Sequence, residues 1–152
     1  MRIVLAAVGR LRAGPMRETF DDYAGRLRTP LKLAEVEERR RLPAEVLKRR
    51  EAELLRGAIP KGAMIVALDE AGTALTSAQF ARKLGDWRDS GPADLAFVIG
   101  GADGLDASLV REAAFVLSLG AMTWPHVQAR IMLAEQLYRA ETILAGHPYH
   151  RA

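Results

Sequence analysis

Cysteine is absent from this sequence of 152 residues, and its absence excludes several classes of protein. Without a thiol the chain has no zinc ribbon, iron–sulfur cluster, cysteine nucleophile or disulfide scaffold. The length makes cross-links unnecessary, because a chain of about 150 residues buries roughly 68–70% of its extended surface on folding. We therefore expect one domain over residues 1–152 that is held together by its own core.

Histidine is scarce as well. The three histidines are His126, His147 and His150, and none has the H-x-x-x-H or H-E-x-x-H spacing that places two ligands on one helix face. Asp69 and Glu70 are adjacent, so at a strand end they point to opposite sides and not at one ion. The sequence predicts no metal site, and we expect these two carboxylates to serve a turn and a helix entry.

Long apolar runs are also missing. The run over residues 3–8 is too short for a signal peptide and is followed by Gly9, Arg10 and Arg12. No stretch approaches the roughly 20 apolar residues of a membrane span. We expect a soluble, cytoplasmic protein with no membrane partner.

Several common site motifs do not occur. There is no G-x-S-x-G sequence, and Ser118 lies in an apolar segment, which disfavours a serine hydrolase. The nucleotide-binding patterns G-x-G-x-x-G and G-x-x-x-x-G-K-[ST] are missing as well.

The residues that are present alternate between strand-like and helix-like segments. Apolar or alternating runs predict strands over residues 2–8, 31–38, 63–68, 95–99 and 115–119. Helical spacing predicts helices over residues 15–28, 43–58, 76–89, 109–114 and 125–144. In the first helix we place Met16, Phe20, Tyr23, Ala24 and Leu27 on the apolar face. This alternation predicts an α/β fold in which helices sandwich a mostly parallel sheet.

Charge is divided unevenly along the chain. Residues 1–60 carry 14 basic and 9 acidic side chains, whereas residues 61–152 carry 8 and 10. The first part contains two basic clusters, which are Arg39, Arg40 and Arg41 and then Lys48, Arg49 and Arg50. Two interpretations stay open: contacts with phosphate groups, or a solvated helix face with Glu45, Glu51 and Glu53 as ionic partners.

Two segments lie where a parallel sheet forms its ligand sites. Residues 68–72 and 99–104 follow predicted buried strands, and ligands of open α/β sheets bind beyond the carboxyl ends of the strands. Gly100 and Gly101 would let a ligand approach the backbone closely.

At the other end of the chain, Glu135 and Arg139 have the spacing of a surface ion pair. The tail Pro148-Tyr149-His150-Arg151 either stays exposed or orders over a site.

Several of these segments together resemble one enzyme family. The matching features are Leu68-Asp69 with Gly72, the segment 97–105 (FVIGGADGL), Ser118, Met122-Thr123, Pro125-His126, the segment 134–140 (AEQLYRA) and the segment 148–151 (PYHR). In this order and spacing they resemble the bacterial large-subunit ribosomal RNA pseudouridine N3-methyltransferases of the SPOUT superfamily. The resemblance spans the chain and implies a C-terminal trefoil knot, which no periodicity reveals.

The resemblance also implies a cofactor and the residues that hold it. The cofactor is S-adenosylmethionine, and no metal is needed. By the resemblance its contacts are Leu68, Gly100, Leu119, Gly120, Ala121, Met122, Thr123 and Trp124. Gly120, Ala121 and Trp124 depart from the residues common in the family, so backbone contacts are the ones expected to persist there.

The implied catalytic residues are Arg139, Tyr149, His150 and Arg151. We expect the arginines to hold phosphate or the forming anion, Tyr149 to stack on or orient the base, and His150 to assist proton removal from N3. The family works as a homodimer in which the tail of one subunit completes the site of the other. Its substrate is a pseudouridine in helix 69 of 23S ribosomal RNA on the assembled ribosome.

Two alternatives come from other classes. The same basic clusters would serve a non-catalytic RNA-binding module, which would not bind S-adenosylmethionine. A small α/β enzyme acting on a free nucleotide would not need a basic first part.

Overall fold

The computed structural model describes residues 1–151 and contains five strands and five helices in that range. In chain order the elements are β1 (Arg2–Val8), α1 (Pro15–Arg26), β2 (Leu31–Val36), α2 (Ala44–Ala58), β3 (Met64–Ala74), α3 (Ser77–Ser90), β4 (Asp94–Ile99), α4 (Ala107–Glu112), β5 (Phe115–Ser118) and α5 (His126–Leu144). The predicted alternation is therefore confirmed, with most boundaries shifted by only a few residues.

The five strands form one sheet in the order β2-β1-β4-β3-β5, and every pairing between them is parallel. The central strands β1 and β4 are buried from Ile3 to Val8 and from Asp94 to Ile99. Continuous apolar runs are typical of parallel strands that helices cover on both faces. All five carboxyl ends lie at one edge of the sheet, which we call the carboxyl edge.

Two apolar clusters show which helices cover which face. Ile3, Leu5 and Ala7 of β1 belong to a cluster with residues of α1, α3 and α5. Ala6 and Val8 of the same strand belong to a second cluster with residues of α2 and α4. Successive strand residues face opposite sides, so the sheet is sandwiched between helices as predicted.

The third strand extends further than its apolar run. Residues 68–72 were predicted to form a turn at the end of the strand, but β3 continues to Ala74. Leu68 and Thr73 both pair with Leu117 of β5, so the residues between them form a bulge. A Cβ on Gly72 would lie only 2.6 Å from the Val116 carbonyl oxygen. The polar residues 69–72 predicted a turn because the return to pairing with β5 at Thr73 and Ala74 is not visible in the sequence.

Two predictions about helix faces are wrong. Met16 was placed on the apolar face of α1, but it lies in the first turn and is exposed, whereas Phe20 is buried. Glu51 was placed among the solvated carboxylates of α2, but it is buried. Thr76 caps α3, because its hydroxyl oxygen accepts from the Gln79 N–H and its own N–H donates to the Gln79 side chain.

The longest helix is α5, which mixes apolar and ionic positions and packs against α1 and α3. Within residues 1–151, no helix combines the length and the apolar character that crossing a membrane requires.

Candidate functional site

A cleft of about 770 Å³ opens at the carboxyl edge, between the ends of β3, β4 and β5 and the start of α5. Seven of the eight residues predicted to contact a cofactor line it, namely Leu68, Gly100, Leu119, Gly120, Met122, Thr123 and Trp124. Ala121 is exposed and does not line the cleft. The fold thus brings together three separate segments of the chain at one site.

Glycines form one wall of this cleft. A Cβ on Gly100 would lie 2.6 Å from the backbone carbon of Gly104, and a Cβ on Gly101 would lie 2.8 Å from Glu51 Oε2. At Gly100 the close atom belongs to the backbone, so no side chain fits there and backbone faces the cleft. At Gly101 the close atom is the end of a flexible side chain, which can shift. Behind this wall, burial and then the charge of Asp103 raise the pKa of Glu51.

The opposite wall, residues 119–125, is tied to the sheet by hydroxyl groups. The Thr123 hydroxyl donates to Glu70 Oε2 at 2.7 Å. Ser118 lies at the end of β5, where its oxygen accepts from the Gly120 N–H at 3.1 Å and its hydroxyl can donate to the Glu70 or Gly120 carbonyl oxygen. Glu70, predicted as a turn or helix-entry carboxylate, therefore holds a wall of the cleft.

A fully buried arginine anchors α5 beneath the cleft. Arg130 donates to Glu35 Oε2 at 2.6 Å and to the carbonyl oxygens of Val8 and Gly9 at 3.0 Å. Burial raises the pKa of Glu35, but the Leu11 N–H and the Arg130 guanidinium outweigh it, so the pKa lies below its ordinary value. His126 lines the cleft, and burial and then Arg130 lower its pKa.

Three of the four predicted catalytic residues, Arg139, Tyr149 and His150, gather elsewhere, around a carboxylate of α5. Glu135 Oε1 accepts from Arg139 Nη2 at 2.6 Å, from Arg139 Nε at 3.0 Å and from the Tyr149 hydroxyl at 3.0 Å. The Tyr149 ring packs edge to face on Tyr138 at 4.7 Å and lies 4.8 Å from the Arg139 guanidinium carbon. His150 joins them, because Arg139 Nη1 lies 3.1 Å from His150 Nδ1.

These contacts determine which groups carry protons. A guanidinium can only donate, so Nδ1 of His150 is the acceptor in its contact with Arg139. The hydrogen bond to Glu135 raises the pKa of Arg139. Burial, followed by the hydrogen bond to Glu135, raises the pKa of Tyr149. The tyrosine is therefore a hydrogen-bond donor here and not a base.

Within one chain the tail does not reach the cleft. Arg139, Tyr149 and His150 are absent from its lining, and Arg151 is exposed. A second cavity of about 550 Å³ lies between the two regions, because it is lined by Leu119 and Gly120 on one side and by Glu135 on the other. The structure thus separates the predicted cofactor residues from the predicted catalytic residues.

Sequence reasoning missed the role of Glu135, which was predicted to be only the partner of Arg139 in a surface ion pair. The pair exists at 2.6 Å, but the same carboxylate also holds the tail. The four-residue spacing to Arg139 was the only local signal. Contacts with Tyr149, fourteen residues away, depend on the path of the tail.

The basic clusters divide between the two interpretations. Lys48 pairs with Glu45, Arg50 pairs with Glu38 and Glu53, and Arg40 pairs with Glu38. The Arg40 and Arg50 contacts lower the pKa of Glu38 to about 2. By contrast, Arg39, Arg41 and Arg49 are exposed and form no ion pair with any other residue in the range 1–151.

Metal-ligating side chains do not cluster in residues 1–151, where no group of three or more histidines and carboxylates could hold an ion.

Comparison with known proteins gives consistent matches. Residues 1–150 match the family described as "Predicted SPOUT methyltransferase". A protein of Rhodospirillum centenum named ribosomal RNA large subunit methyltransferase H is 61% identical over 152 residues, with all of both chains covered. A protein of the same name from Paramagnetospirillum magneticum is 54% identical over 99% of each chain.

Solved structures share the fold at low identity. A probable methylase family protein from Haemophilus influenzae has a TM-score of 0.63 and 11% identity, with 99% of this chain and 70% of that chain covered. The SpoU methyltransferase AviRb from Streptomyces viridochromogenes, in complex with AdoMet, has a TM-score of 0.50 and 14% identity, over 92% and 58% of the two chains.

The parallel sheet, the glycine-walled cleft at its carboxyl edge and the family match define the class, which is that of the SPOUT methyltransferases. Within this class the chain belongs to the ribosomal RNA large subunit methyltransferase H family. The predicted family and the predicted α/β fold class are both confirmed.

Proposed function

We propose that this protein transfers the methyl group of S-adenosylmethionine to N3 of a pseudouridine in helix 69 of the large-subunit ribosomal RNA, on assembled ribosomes in the cytoplasm. The observation that carries the proposal is the cleft, where seven residues predicted for the cofactor meet at the edge of a parallel sheet. The relatives named as ribosomal RNA methyltransferases support the substrate class.

The cleft fits the cofactor in size and in lining. Its volume of about 770 Å³ lies within the usual range of about 300–1,000 Å³ for small-molecule sites. The backbone of Gly100 and Gly120 would meet the polar edges of the cofactor, and Leu68, Met122 and Trp124 would cover its apolar parts. When bound, S-adenosylmethionine supplies a methyl group that its sulfonium activates for attack by a ring nitrogen.

The residues around Glu135 would act on the RNA base. The Arg139 guanidinium would stabilise the negative charge that forms on the base when N3 loses its proton, and Arg151 would contact a phosphate. Tyr149 would stack on the base. Arg139 donates a hydrogen bond to Nδ1 of His150. Nδ1 can therefore accept the N3 proton only after Arg139 turns from it toward the substrate.

A homodimer would bring the two groups of residues together. One chain separates its tail from its own cleft, and a two-fold dimer would place the tail of each subunit at the cleft of the other. The proposal includes the trefoil knot implied by the family. In its support, α5 returns from the edge strand β5 to the centre of the sheet, where Arg130 bonds the end of β1.

The experiment that tests the proposal measures cofactor and product separately. We expect calorimetry to show S-adenosylmethionine binding, and we expect mass spectrometry of ribosomal RNA from a strain lacking the protein to show one unmethylated pseudouridine in helix 69. RNA binding without cofactor binding would instead indicate a non-catalytic RNA-binding module. If the pseudouridine in helix 69 is still methylated in the strain lacking the protein, the assigned substrate is refuted.

Two tail variants test the roles of the tail. In single-turnover methylation we expect His150→Ala to be about 10²-fold slower or more, because general-base catalysis contributes about 10²–10⁴-fold. The same variant should lose the increase of rate with pH that a base produces. Tyr149→Phe removes only the hydroxyl group that donates to Glu135, so we expect a smaller loss of about tenfold with the pH profile retained. Unchanged rates in both variants would rule out the proposed roles.

A further inference from the structure

Two loops at the carboxyl edge lie beside the cleft. Residues 9–14 follow β1 and residues 37–43 follow β2, and these strands are parallel neighbours up to Val8 and Val36. The Gly9 N–H donates to the Val36 carbonyl oxygen at 2.8 Å, and Arg10 Nε lies 3.8 Å from Glu37 Oε2. The two loops therefore run side by side.

The first of these loops touches the wall of the cleft. A Cβ on Gly9 would lie 3.1 Å from Cε1 of His126, which lines the cleft. On the neighbouring strand, Ala7 of β1 pairs with Ile99 of β4, which also lines it. The cleft occupies the β4-β3-β5 half of the carboxyl edge, and the two loops occupy the β2-β1 half.

Three arginines on these loops have charge available for a partner. Arg12, Arg39 and Arg41 are exposed, and in the part of the chain that the structure describes none of them forms an ion pair. The carboxylates nearby are engaged, because Glu38 is held by Arg40 and Arg50 and Glu35 by Arg130. We call Arg12, Arg39 and Arg41 the basic rim.

A buried leucine and several hydrogen bonds hold the loops that carry the basic rim. Leu11 is buried, its N–H donates to Glu35, and its carbonyl oxygen accepts from Arg17 Nη1 at 2.9 Å. The Arg40 N–H donates to Glu38 Oε1 at 3.0 Å, and Arg50 of α2 donates to the other oxygen at 3.0 Å. A surface ordered in advance loses less entropy when it binds.

We propose that the basic rim binds the phosphate backbone of the RNA whose base enters the adjacent cleft. The inference rests on the proposed function and adds the surface that docks the substrate. Guanidinium groups match phosphate in geometry, and recognition of folded RNA depends mainly on shape and phosphate contacts. Because the rim and the cleft share one edge of one sheet, a strand bound along the rim presents its neighbouring nucleotides to the cleft.

The test compares two triple variants with the same change in charge. The rim variant is Arg12→Gln, Arg39→Gln and Arg41→Gln. The control is Lys61→Gln, Arg82→Gln and Arg111→Gln, which removes three exposed basic side chains that also form no ion pair within residues 1–151. Binding of purified large ribosomal subunits is measured from low to high salt, and S-adenosylmethionine binding is measured by calorimetry.

We expect the rim variant to bind ribosomal subunits about tenfold more weakly or worse. Its slope of log affinity against log salt should fall by about two, because each phosphate contact contributes about 0.7–0.9 to that slope. The control should match the parent in affinity and in salt slope, and S-adenosylmethionine binding should stay within about twofold in both variants, because none of the six changed residues lines the cleft.

Equal salt slopes for the rim variant and the control would overturn the inference, and so would binding of the parent to anionic vesicles but not to ribosomal subunits. Failure of the proposed function looks different, because the parent would then bind subunits through the rim and yet neither bind S-adenosylmethionine nor transfer its methyl group.

Discussion

Mixing two inactive variants is expected to restore methyl transfer. The first variant, Gly100→Val, disrupts the glycine wall of the cleft, because a Cβ at this position would lie 2.6 Å from the backbone of Gly104. The second, His150→Ala, removes a tail residue that lies outside the cleft of its own chain. If each site combines the cleft of one subunit with the tail of the other, one site in a mixed dimer keeps both intact halves.

The expected recovery has a definite size. Random reassociation makes half of the dimers mixed, and each has one intact site of two, so the mixture should reach about a quarter of the parent activity per subunit. Each variant alone should have about 1% of the parent activity or less, because His150→Ala removes a base that contributes about 10²-fold or more and Gly100→Val disrupts the cofactor cleft. The measurement is methylation of ribosomes after the variants are partly unfolded together and refolded.

Controls separate loss of fold from loss of the site. Ala102 is exposed on the cleft wall, so Ala102→Trp fills the cleft without repacking the core and replaces Gly100→Val if that variant does not fold. Gly57→Ala has open space around the added methyl group and should leave activity unchanged. A mixture no more active than its components would show that each chain supplies its own complete site.

Glu35→Gln is expected to lower the free energy of unfolding by about 3 kcal/mol. Arg130 is fully buried, and Glu35 is its only carboxylate partner in the described chain. Removing one member of a buried ion pair costs about 3–5 kcal/mol, because the other charge stays buried and uncompensated. We expect the lower end, because the Glu35 side chain is 25% exposed to water. Urea unfolding at neutral pH measures the difference.

Two further variants make this prediction specific. Glu37 lies two residues away with its side chain 47% exposed, and its contact with Arg10 is 3.8 Å long, so Glu37→Gln should change stability by less than about 0.5 kcal/mol. Adding Arg130→Met to Glu35→Gln should recover much of the loss, because the buried charge is then gone. A loss below about 1 kcal/mol in Glu35→Gln would contradict the prediction.

The ion pair between Glu35 and Arg130 also predicts how the free energy of unfolding changes with pH. The pKa of Glu35 in the folded chain lies below its ordinary value of 4.5. The stabilisation is therefore fully present above pH 4.5 and is lost as the pH falls through the folded value. The stability difference between parent and Glu35→Gln should shrink on acidification from pH 6, and a constant difference would show that the ion pair does not contribute.

Some of the candidate site could be predicted from local sequence. The glycines after β4 were expected at a ligand site because they follow a buried strand, and Gly100 lines the cleft. Arg39 and Arg41 were expected to bind phosphate or to stay solvated, and their lack of ion pairs within residues 1–151 leaves them available. The buried state of Glu51 was not predictable, because Arg49, Arg50 and Glu53 lie close to it along α2 and are typical of a solvated helix face.

The sequence by itself determined the order of strands and helices, the α/β class and two of the chain segments that meet in the cleft, residues 68–72 and 99–104. These properties follow from periodicity and apolar content, which act over a few neighbouring residues. Only the tertiary structure decided that Arg130 pairs with Glu35 across 95 positions, that Glu135 holds Tyr149, and that the tail lies apart from its own cleft. Such contacts depend on the sheet order β2-β1-β4-β3-β5, because strand order sets which distant segments become neighbours and no local pattern encodes it.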